Sequence, residues 1–71
     1  MMPLTMMKEG EPGVISRVSG KEDTRRFLEN LGFVAGGTVT VVSKINGNMI
    51  VNIKDSRVAL GQDMANRIMV S

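Results

Sequence analysis

Few side chains in this sequence could do chemistry, and they are of few kinds. The chain has 71 residues, no cysteine and no histidine. That removes thiolate nucleophiles, disulfides, zinc knuckles and imidazole bases before any spacing is considered. Seven methionines remain as thioether donors, which suit cuprous copper. Their placement argues for packing instead. Met49 and Met69 fall in apolar strand-like runs and Met64 in a short terminal turn. Unbranched Met is a usual filler of small, irregular cores. Met1, Met2, Met6 and Met7 cluster at an amino end that reads as mobile. The acids Glu22, Glu29, Asp55 and Asp63 are scattered and read as solvated charges and caps, whereas general acid–base work needs partners held in one pocket. Gly36-Gly37 lacks the lysine and the strand–loop–helix order of a phosphate loop. No catalytic residue, metal site or cofactor site is expected.

What remains is surface. Arg25 and Arg26 lie three and four residues from Glu22 and Glu29, the spacing of weak pairs on a solvated helix face. Arginine is also enriched at protein interfaces. Arg25, Arg26 and Glu29 are therefore candidate partner-binding residues. Val42 and Ile50 join them, because the strand reading below turns both outward.

The elements that must position these residues are short. Gly10-Glu11-Pro12-Gly13 reads as a turn and Val14 to Val18 as a first strand. A helix is predicted between about Lys21 and Leu31, capped by Ser19 or Asp23, with Ser19 and Glu22 at capping-box spacing. Thr24, Phe27, Leu28 and Leu31 share its inner face, so both phenylalanines, Phe27 and Phe33, are expected in the core. Gly32 stands where a helix end wants positive φ, and Phe33 can fold back onto Leu28.

Thr38 to Ile45 reads as a strand, with Val39, Val41 and Ile45 on one face. Asn46-Gly47-Asn48 is a hairpin signal, and Met49 to Lys54 is the return strand. A two-residue loop would pair Ile45 with Asn48 and Val41 with Asn52, mixing apolar and polar residues on one face. A three-residue loop, with Asn48 left-handed, pairs Ile45 with Met49, Ser43 with Val51 and Val41 with Ile53, and is preferred. Arg57 to Leu60 is a short strand, Gln62 to Ala65 one helical turn, and Arg67 to Val70 a last strand. Five short strands and one helix suggest a small barrel, which also removes exposed edges.

Leu31-Gly32-Phe33, then Gly36, then Val39 and Val41, resembles the core signature of the FeoA family, ferrous iron transport protein A. Leu4, Met7, Gly10 and Val18 resemble its opening, and Val58-Ala59-Leu60, Ala65, Ile68 and Val70 its closing stretch. Val34 departs from the proline more usual at that position. The resemblance spans essentially the whole chain. It implies a mainly β fold, a small SH3-like β-barrel of about five strands with one α-helix inserted after the first long strand, and one domain over residues 1–71. It also implies a cytosolic accessory to FeoB, the membrane ferrous-iron transporter that carries a GTP-binding domain.

Other classes fit less well. Net charge is +2 and mixed along the chain, and the only aromatics are two Phe. Single-stranded nucleic acid is held by stacked aromatics in a basic groove, so no nucleic-acid partner is expected. Proline-motif grooves need aromatics too. A metal-dependent repressor's regulatory barrel resembles the family, but normally follows a DNA-binding domain, which is not encoded here. No apolar run approaches the roughly 20 residues of a membrane span, and the amino end has neither basic flank nor apolar stretch for a signal peptide. The expectation is a soluble, cytoplasmic protein, complete as it stands.

Overall fold

The computed structural model describes residues 1–71. In chain order it contains β1 (Met2–Pro3), a 3-10 turn (Leu4–Met6), β2 (Pro12–Val18), α1 (Glu22–Leu31), β3 (Thr38–Ile45), β4 (Asn48–Ile53), β5 (Ser56–Gly61), the one-turn α2 (Gln62–Ala65) and β6 (Ile68–Val70). The strands form one antiparallel sheet in the order β1-β6-β2-β3-β4-β5, a mainly β, SH3-like fold. The count is six rather than five because Met2 and Pro3 pair with Val70 and Met69. The sheet curls around its core without closing: β1 and β5 end it, and neither bonds to the other. Two edges therefore survive that a closed barrel would have removed.

The amino end is anchored, not mobile. Leu4 and Met7 are 0% and 1% exposed and belong to the core with Ile15, Leu28, Phe33, Val39, Val41, Val51, Ile53, Ile68 and Val70. Burying each large aliphatic is worth about 1.5–3 kcal/mol, enough to hold a seven-residue segment down. Met7 lies across β2, where a Cβ on Gly13 would meet its Cε at 2.8 Å. A side chain there would push the end of Met7 aside.

Helix α1 begins after Lys21, with no side-chain cap, and Glu22 and Asp23 in its first turn favour the helix dipole. Ser19 does not cap it. Its N–H and hydroxyl both donate to the Arg67 carbonyl, at 2.7 and 3.2 Å, tying the strand end to β6. The helix stops at Gly32 (φ 111°), whose N–H donates to the Glu29 carbonyl at 2.9 Å. The Phe33 N–H reaches back to the Leu28 carbonyl at 3.0 Å, and both side chains are fully buried. Phe27, expected inside, is 51% exposed. Leu28 is the fully buried residue of the inner face, Thr24 and Leu31 are half-buried beside it, and Phe27 lies beyond Leu31, about 100° round the helix from Leu28.

The β3–β4 hairpin corrects the register. Its loop has two residues, Asn46 (φ 48°) and Gly47 (φ 84°), so Ile45 pairs with Asn48, Lys44 with Met49 and Ser43 with Ile50. A shift between Val41 and Ser43 then makes Val42 an extra residue, and beyond it Val41 pairs with Val51 and Val39 with Ile53. The bulge satisfies two demands at once. The Asn-Gly turn keeps its preferred length, and Val39, Val41, Val51 and Ile53 still face inward. Its consequence is that Ile45, expected beside Val41, is turned out and 55% exposed. β4 ends at Ile53 and turns through Lys54 (φ 49°) and Asp55 (φ 62°) into β5.

Candidate functional site

Arg25, Arg26 and Glu29 are exposed on α1. Arg26 donates to the Glu22 carboxylate at 2.6 Å across one turn, the only ion pair in the structure. Arg25 and Glu29, also four apart, make none. Such exposed pairs are worth roughly 0.3–0.5 kcal/mol, so this face is cheap to rearrange against a partner.

Val42 and Ile50 are half-buried on the outer face of the sheet. The bulge brings them together, since Val42 precedes Ser43, the partner of Ile50. Ile50 in turn pairs with Ala59 of β5, and Ile45 lies two pairs further along, on the same face. The outer face thus carries an apolar patch of Val42, Ile45, Ile50 and Ala59. Reasoning from sequence missed Ile45 and Ala59. The signal for Ile45 was present: an Asn-Gly turn taken at its usual two-residue length forces either a slip or a bulge in β3. No hydrogen bond or ion pair joins the α1 charges to this patch.

Leu31, Gly32, Phe33, Gly36, Val39 and Val41 lie elsewhere and do other work. Gly36 (φ 89°) donates its N–H to the Ile15 carbonyl at 2.8 Å, and the Ile15 N–H donates to the Gly37 carbonyl at 2.9 Å. This turn clips the chain leaving α1 onto β2. Leu31 is half-buried, and Phe33, Val39 and Val41 have no exposed surface.

Two depressions mark the surface. An open one of about 500 Å³ is lined by Thr38, Thr40, Asn52, Lys54 and Asp55 on the outer sheet face. The register puts Thr40 opposite Asn52, and no side chain of the five bonds within the protein. The smaller one, about 180 Å³, lies by Thr5, Lys44 and Gln62. There the Lys44 Nζ donates to the Thr5 carbonyl at 3.1 Å and the Lys44 N–H to the Glu9 carboxylate at 2.8 Å. No three acids converge anywhere. No helix is long and apolar enough to cross a membrane. The arrangement offers open surfaces to bind with.

Comparison with known proteins agrees over the whole length. The model of the FeoA domain matches residues 2–71. A Methanocaldococcus jannaschii protein named "Putative Fe(2+) transport protein A" is 31% identical over 70 residues, covering 99% of this chain and 85% of its own. A crystal structure described as an iron uptake regulatory protein (FeoA) superposes with a TM-score of 0.91 at 30% identity, covering 99% of this chain and 93% of that one. Stenotrophomonas maltophilia FeoA complexed with zinc, described as a procaryotic SH3 domain protein, superposes at 0.88 with 27% identity, covering 100% and 91%. The family model spans the helix cap, the bulged hairpin and both ends of the sheet, and on that match the chain belongs to the FeoA family.

Proposed function

We propose that this protein is a cytosolic accessory of ferrous-iron uptake that acts without chemistry of its own, by docking on a FeoB-type transporter at its cytosolic face or GTP-binding domain. Residues 1–71 act as one unit. Family membership supports the pathway. The observation that carries the docking mode is the outer apolar patch of Val42, Ile45, Ile50 and Ala59, with the uncompensated Arg25 on α1 as a second contact. Clustered apolar groups rimmed by polar ones mark interaction surfaces. Arginine adds directional charge contacts.

The test separates folding from function. Arg25→Glu with Arg26→Glu, and separately Val42→Ser with Ile50→Ser, should leave the melting temperature within a few degrees of the parent, as surface changes do. Pull-down of the transporter from membranes, with and without nucleotide, should weaken roughly tenfold, about 1.4 kcal/mol, for at least one pair. Full binding and full ferrous-iron uptake by both folded variants would place the docking surface elsewhere.

A further inference from the structure

Strand β5 is an edge with a single charged residue to defend it. It runs six residues, Ser56–Gly61, and its register with β4 is unbroken. The two-residue turn makes Ile53 and Ser56 a hydrogen-bonded pair, and alternation makes Val51–Val58 and Met49–Leu60 the next two. Arg57 and Ala59 therefore turn their N–H and C=O groups away from β4. No hydrogen bond outside the ladders uses either residue, and both are exposed. Natural edges are blunted by proline, charged side chains, lysine above all, bulges or a covering element. β5 contains no proline, lysine or bulge, its one charged residue is Arg57, and α2 leaves from its far end at Gly61.

We infer that an extended segment of a partner chain adds to β5 as a seventh strand, and that this segment carries a carboxylate opposite Arg57 and an aliphatic side chain two residues away, opposite Ala59. The rows across the sheet dictate both positions. One outer row runs Thr40, Asn52, Arg57. It is polar throughout and ends in a guanidinium with no ion-pair partner, so a cross-strand carboxylate completes it. The next runs Ser43, Ile50, Ala59, with Val42 beside it. Ala59 is too small to cover Ile50, so a larger aliphatic on an added strand can lean across it and bury both. The residue between them falls on the inner face beside half-buried Val58. Backbone pairing supplies affinity and the alternate side chains supply choice. This deepens the docking reading above. It rests on that reading for the identity of the partner, and not for the chemistry of the edge.

The test reads backbone amide exchange in the full chain, labelled with nitrogen-15, against two probes. One is the detergent-solubilised ferrous-iron transporter. The other is a synthetic peptide, Thr-Val-Thr-Glu-Val-Ile-Thr-Val-Thr, with a Lys-for-Glu version as control. In the isolated protein the Arg57 and Ala59 amides should exchange freely. Either probe at saturation should slow both by at least about tenfold. Ala59→Pro deletes an N–H that the fold does not use, as edge strands tolerate. It should keep its circular dichroism and lose at least about tenfold in binding. Arg57→Glu should reject the Glu peptide and accept the Lys peptide; this swap decides the matter should Ala59→Pro misfold. If the transporter binds while both amides exchange as before, strand addition is wrong and the docking reading stands. If the transporter fails to bind, the docking reading falls and the peptide arm decides: protection upholds strand addition, its absence overturns it. Protection already present in the isolated protein and lost on dilution would identify a second copy as the occupant and overturn the acidic segment.

Discussion

Gly32 shows how one residue couples the helix to the sheet. Its left-handed backbone (φ 111°) lets the chain reverse so that Phe33 returns to the core beside Leu28. An added Cβ would meet the Lys54 Cδ at 3.3 Å, a flexible contact that can give way. The conformational term therefore dominates, and Gly32→Ala should cost about 1–2 kcal/mol in chemical denaturation. Leu28→Ala should cost more, about 2–5 kcal/mol, because it empties a fully buried site in a thin core. A Leu28→Ala protein as stable as Gly32→Ala would mean that α1 is not held by its apolar stripe.

At the scale of elements, the two hairpins contrast. The β3–β4 turn places Asn46-Gly47 at left-handed positions, which those residues favour. The β4–β5 turn asks the same of Lys54 and Asp55, at φ 49° and 62°. Lysine there is unfavourable, since residues with a Cβ rarely adopt positive φ. Replacing Lys54→Asn with Asp55→Gly should raise stability by about 1 kcal/mol or more, readable as a higher denaturant midpoint at unchanged slope. No gain would show that contacts of Lys54, whose stem lies against Gly32, offset the backbone cost.

For the whole molecule, the core depends on both ends of the chain meeting. Leu4 and Met7 are sealed inside, β1 pairs with β6, and the Thr5 hydroxyl donates to the Asn66 side chain at 2.7 Å. Removing residues 1–7 should therefore destabilise the domain by several kcal/mol, as removal of two buried side chains requires. If that truncation melted like the intact chain, the amino end would not be part of the core. With no histidine or cysteine and no converging acids, the chain should show no saturable ferrous-iron isotherm tighter than roughly 10 µM, about −7 kcal/mol, in anaerobic calorimetry.

The sequence by itself determined whatever depends on neighbours along the chain. The helix stop at Gly32, the inward alternation of Val39 and Val41 and the presence of a hairpin at Asn46-Gly47 are local properties of side chain and backbone, and so they were legible; the length of the hairpin loop was not. The family signature was legible for the same reason, since it consists of those caps, turns and strands. Tertiary structure alone decided the rest. Whether Phe27 or Thr24 flanks the buried stripe depends on where the helix meets the sheet, since periodicity alone leaves its rotation free by a residue. The amino end looked loose because its contacts lie with β6, more than 60 residues away. The bulge at Val42 arose from two local preferences in conflict, turn length against facing. Only the packing of β3 between β2 and β4 settled that conflict, and with it which aliphatics were left on the outer face.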